Sequence, residues 1–99
     1  MICKEPPDDY VFDVLMPDLV GHDRAPSAFI VFLKLWHATG GPDRRSVAIS
    51  LLTLAVETGL SKSSVQSALR RLQARGYIGI SRASATSIPV YTVFAPWRH

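Results

Sequence analysis

Ninety-nine residues with 47% hydrophobic content suit one domain around one core and leave little room for a second folding unit. The formal net charge of +3 conceals a split: residues 1–43 hold three Lys or Arg against seven Asp or Glu, a net −4, whereas residues 44–99 hold eight against one, a net +7. A single cysteine, Cys3, excludes a disulfide within these residues, and the longest apolar run, 28–33, is too short to cross a bilayer.

The chain opens on MICKEPPDD, without the pattern of a secretory signal. Residues 1–9 are expected as a flexible leader and residues 10–99 as the folded domain, in the cytoplasm. Residues 10–15 (YVFDVL) are strand-like in composition and stop at Met16 and Pro17, with 18–24 expected as a polar connection. Pro26 and Ser27 then open a helix that runs to about Thr39, where Gly40, Gly41 and Pro42 end it. Phe29, Phe32, Leu33 and Trp36 lie at helical spacing, and Ile30, Val31 and Leu35 widen the apolar surface beyond one stripe. The YVFDVL segment is expected to cover this excess; the alternative is that part of it forms a homodimer interface.

Ser50 is a good N-cap for a short apolar helix beginning at Leu51. Gly59 supplies the positive φ that stops that helix and reverses the chain, Leu60 packs back on it, and Ser61 caps the next helix, 62–75. At 100° per residue, Val65, Ala68, Leu69 and Leu72 fall on one stripe and Ser63, Gln66, Ser67, Arg70 and Ala74 on the opposite one. Lys62, Arg70, Arg71 and Arg75 charge this helix, which contains no Asp or Glu. The short serines at its start, Ser61, Ser63 and Ser64, let a phosphate chain approach a helix N-terminus that favours anions. Gly76 ends the helix; 77–81 (YIGIS) and 88–95 (IPVYTVFA) read as strands, and 82–87 (RASATS) as the hairpin loop between them.

Ala55, Gly59, Leu60, Ser61, Val65, Ala68, Leu69, Leu72, Gly76, Tyr77 and Ile78 together resemble the helix-turn-helix signature of winged-helix DNA-binding proteins, which include many small bacterial regulators and replication-initiator domains. The resemblance implies an α+β, mainly α fold: three helices, a short strand at 46–49 (SVAI) before the second, and a C-terminal β-hairpin wing carrying Arg82. It further implies sequence-specific binding of double-stranded DNA, with the 62–75 helix in the major groove, in a transcriptional regulator. Ser63, Gln66, Ser67 and Arg70 would meet base edges. Lys62, Arg71, Arg82 and the Ser61 and Ser64 end of the helix would grip phosphates, and Arg44 and Arg45 either touch the backbone or stand as a solvated loop pair. The alternative is a winged-helix protein-interaction or replication-initiation module in which DNA contact is absent or secondary; the stretch from Tyr10 to Leu19 ahead of a long helix is similar to the start of plasmid and phage replication initiators.

Residue types for chemistry are sparse. His22, His37 and His99 are scattered without metal-ligand spacing, the serines lack a G-x-S-x-G elbow, and Gly40–Gly41 stops a helix instead of cradling phosphate. No enzyme activity, cofactor, metal, small-molecule ligand or membrane partner is expected.

Overall fold

Pro26 presets the backbone for a first helical turn and Gly40, at φ 86°, stops the last one, so α1 spans Pro26–Thr39 as its sequence predicts. The structure, a computed structural model, describes residues 5–42 and 45–98. After α1 come β1 (Val47–Ala48), α2 (Leu51–Thr58), α3 (Lys62–Ala74), β2 (Ile78–Ser81) and β3 (Val90–Val93). The strands form one antiparallel sheet in the order β1-β3-β2, with Val47 and Ile80 both opposite Tyr91. The fold is α+β and mainly α. Arg44, named above as a backbone contact, lies outside the described residues, as do Cys3 and His99.

Helix ends follow the local chemistry. The Ser50 hydroxyl accepts from the Thr53 amide at 3.1 Å, and Gly59, at φ 78°, ends α2 with its amide on the Ala55 carbonyl at 3.0 Å. Gly76, also at φ 78°, closes α3: its own amide reaches the Gln73 carbonyl at 3.1 Å and the Tyr77 amide reaches that of Leu72 at 3.0 Å. That paired bonding satisfies carbonyls a helix end would leave open and turns the chain directly into β2.

The N-terminal segment departs from expectation. Residues 10–15 are not a strand, and 18–24 are not simply a connection: Val11–Leu15 and Pro17–His22 are wide-turn π-helical segments. The Met16 amide bonds the Val11 carbonyl and the Asp23 amide that of Asp18, each five residues back. Pro17 has no N–H for an ordinary helical bond and its ring would crowd the carbonyl four residues earlier, a conflict that a wider turn relieves. Val11, Leu15 and Leu19, four apart, are buried together against the core, so helical periodicity overrode the β-propensity of the valines. Within this segment Pro17–His22 packs on α1, and Phe12 meets Phe29 edge-on, but Ile30, Phe12 and Val14 stay exposed, so the surplus apolar surface of α1 is covered only in part.

Both ends of the described chain converge on α1. Trp97 stacks on Tyr10 (4.7 Å between ring centroids) and lies parallel to Trp36 (6.4 Å), while Phe32 meets Trp36, Tyr77 and Trp97 edge-on. Residues 5–9, within the stretch expected as a leader, carry polar partners for this cluster. The Trp36 indole donates to the Glu5 carbonyl at 2.8 Å, the Trp97 indole to the Asp8 carboxylate at 2.8 Å, and Arg98 forks onto Asp8 at 2.9 and 2.7 Å and also pairs with Glu5. No helix among the described residues is long and apolar enough to cross a membrane.

Hydrogen bonding from Arg98 holds the Asp8 carboxyl below its ordinary value of 3.8; desolvation opposes this, and the Trp97 N–H and the Arg98 charge add to it. A carboxylate depressed on folding stabilises the fold at every pH above its unfolded value and ceases to do so as pH falls through the lower, folded value. Asp8→Asn should therefore cost up to about 1 kcal/mol in urea unfolding near neutral pH. The gap from the parent should narrow as pH falls below the carboxyl's ordinary value of 3.8, a convergence readable from tryptophan fluorescence.

Candidate nucleic-acid interface

The apolar stripe of α3 decides what its other face can do. Val65, Ala68, Leu69 and Leu72 are buried against α1 and α2, which leaves Lys62, Ser63, Gln66, Ser67, Arg70 and Arg71 exposed in two to three successive turns. Its first turn is held by Ser61, whose hydroxyl accepts from the Ser64 amide at 3.1 Å, donates to the Ser64 hydroxyl at 2.9 Å and lies 3.2 Å from that of Ser63. Ser61 and Ser64 are thus engaged in shaping the helix start, with Ser64 half-buried.

Two depressions flank this face, and Arg70 borders both. One, of about 270 Å³, runs between α3 and the hairpin and is lined by Leu51, Gln66, Leu69, Arg70, Ile80, Arg82 and Tyr91. The other, of about 560 Å³, is lined by Asp23, Ser67, Arg70, Arg71, Ala74 and Arg75. The structure therefore brings Gln66, Arg70 and Arg82 to one groove and Ser67, Arg70 and Arg71 to its neighbour, although α3 and residue 82 are separated by β2 in the chain.

The charges of α3 are not equivalent. Arg75 pairs with both Asp18 and Asp23, and Arg71 lies 3.6 Å from the same Asp23 carboxylate. Partial burial of Arg75 works against its charged form, yet hydrogen bonding to Asp23 and the fields of Tyr77, Asp18 and Asp23 outweigh it and raise its pKa further. The acidic half of the chain is not turned away from the basic half, because the N-terminal helical segment brings Asp18 and Asp23 against the C-terminal end of α3. By contrast, Arg45, Lys62, Arg70 and Arg82 have no acidic partner among the described residues. Arg82 reaches only the Ala85 carbonyl, at 3.5 Å.

Two features escaped sequence reasoning. Asp18 and Asp23 lie in a stretch read as a polar connection, and nothing local marks them as partners of Arg75, more than fifty positions away. Tyr91 sits in a strand where alternation assigns it to the core, and it is indeed 1% exposed, yet it also lines the groove. A Tyr in place of Phe was the available signal, since a buried phenol needs a partner for its hydroxyl. No group of His, Cys, Asp and Glu able to hold a metal ion occurs among the described residues.

No protein-family model, curated protein or solved structure matched this chain in the three comparisons made.

Removing the cap hydroxyl in Ser61→Ala should cost about 1 kcal/mol. In a chain of this size that corresponds to a Tm lowered by roughly 4–8 °C, measurable by circular dichroism. An unchanged Tm would mean that the start of α3 is held by something other than this serine.

Proposed function

We propose that this chain is a winged helix-turn-helix domain that binds double-stranded DNA by laying α3 in the major groove, with the hairpin reaching an adjacent phosphate strand, in the manner of a transcriptional regulator. The observation that carries this reading is the outward row Lys62, Ser63, Gln66, Ser67 and Arg70, polar or basic throughout and with no acidic partner for either cation among the described residues. A helix about 10–12 Å across fits a groove about 12 Å wide, and its N-terminal half meets the bases first. Arg70 pairs best with guanine and Gln66 with adenine, while Lys62 and Arg82 neutralise phosphates. The order of three helices, a short β1 and a C-terminal hairpin supports the same layout.

One observation favours a protein partner in its place: Leu52 and Val56, a turn apart on α2, are 57% and 71% exposed. Salt separates the two. A phosphate-binding face gives a log–log slope of about −0.9 per neutralised phosphate, and an apolar face gives almost none.

In anisotropy titrations against duplexes selected from a random pool, Arg70→Ala should erase about 1–3 kcal/mol of discrimination at one base position. Lys62→Ala should weaken all duplexes alike and reduce the slope by about one. A flat salt dependence, or the opposite assignment of the two variants, removes the reading.

Asp23→Asn should tighten binding to every duplex and steepen the slope, because Arg71 then loses its nearby carboxylate. An unchanged slope in this variant would show that Arg71 is not part of the footprint.

A further inference from the structure

The groove between α3 and the hairpin contains a polar group that the fold leaves unused. Tyr91 is 1% exposed, its ring is packed in the core, and its hydroxyl makes no hydrogen bond among the described residues. Among the described residues no side-chain oxygen is wholly sealed from solvent without a partner, so this hydroxyl keeps a marginal solvent contact, at the edge of the groove that Tyr91 lines. A buried phenol with no acceptor or donor loses the hydrogen bonds it made to water, a cost that a ligand atom in the groove would recover.

The surroundings specify the ligand's charge. Arg82 lines the same groove, and its positive charge acts on the Tyr91 hydroxyl. The single long contact of Arg82 to the Ala85 carbonyl, 3.5 Å, leaves most of its five donors unspent. Arg70 borders the groove from α3, Gln66 adds an amide, and no Asp or Glu among the described residues lines it. Burial raises the phenol's pKa, with the Arg82 charge pulling the other way, so at neutral pH the hydroxyl is protonated and can donate. The Arg82 guanidinium, with donors to spare, beside a neutral hydroxyl donor suits a phosphate oxyanion, while Arg70 and Gln66 at the α3 side remain available to base edges.

We propose, resting on the DNA-binding reading, that this groove is the seat of one phosphate group, held by the Tyr91 hydroxyl and the Arg82 guanidinium, so that Tyr91 fixes the hairpin against the nucleic-acid backbone. A neutral donor buried at its base positions the phosphate without adding to the counterion term, which comes from Arg82 alone of the pair.

Tyr91→Phe keeps the ring and removes only the hydroxyl. It should leave Tm unchanged, weaken every duplex roughly three- to tenfold and keep the salt slope, whereas Arg82→Ala should lower that slope by about one. In carbon-13-labelled protein the Tyr91 Cζ resonance should move on addition of duplex and, at higher concentration, of inorganic phosphate. If duplex binds with a normal slope but Tyr91→Phe matches the parent and Cζ stays still, the seat is overturned and the DNA reading survives. If inorganic phosphate moves Cζ, Arg82→Ala abolishes that movement and no duplex binds, the seat stands as a site for a free phosphate and the DNA reading falls. If neither ligand binds nor moves the resonance, both are overturned.

Discussion

A helix that is apolar on nearly every side has to be enclosed, and in this chain that helix is α1. Ala28, Val31, Phe32, Leu35 and Trp36 are all essentially buried along one broad face, while Ile30 on the opposite side is exposed. One flank takes α3 and α2, another the N-terminal helical segment and a third β3 and the Trp97 tail, which leaves a strip at Ile30 and His37 open to solvent. Because α3 spends its aliphatic stripe on α1, its polar stripe has nowhere to go but outward. The exposed polar face of α3 is in this sense a by-product of burying α1.

The same enclosure redistributes charge. Bringing the N-terminal segment across α1 sets Asp18 and Asp23 beside Arg75 and Arg71, and bringing both chain ends together sets Glu5 and Asp8 beside Arg98. These pairs are partly solvated, so each contributes little to stability. Their larger effect is on where positive potential remains. The C-terminal end of α3 is held by acids, and Lys62, Arg70 and Arg82, without an acidic partner among the described residues, are left at its start, its middle and the hairpin. In the proposed complex this would shift the phosphate contacts toward the end of α3 that also carries the serines.

The groove beside the hairpin is a third consequence of the packing. Its floor consists of Leu51, Leu69 and Ile80 from three different elements, and its rim carries Gln66, Arg70 and Arg82. Tyr91 joins floor to rim, since its ring belongs to the core and its hydroxyl does not. In the proposed complex such a residue would tie the hairpin to the phosphate held in the groove.

Local signals were sufficient wherever the deciding chemistry lay within one turn of the chain. Pro26 and Gly40 bound α1, Ser50 and Gly59 bound α2, Ser61 and Gly76 bound α3, and the stripe of Val65, Ala68, Leu69 and Leu72 told which side of α3 faces the core. Caps, left-handed glycines and helical periodicity act over a few residues, so residue identity settles them. The segment 10–22 went the other way: its β-branched residues suit a strand, and only the hydrophobic surface of α1 beside it selected a helix burying Val11, Leu15 and Leu19. Likewise the pairing of Asp18 and Asp23 with Arg75, and the meeting of Tyr91 with Arg82 and Gln66, belong to the tertiary structure. Those contacts join residues far apart in sequence, and their partners are chosen by how helices and sheet pack, a choice that no short window of sequence contains.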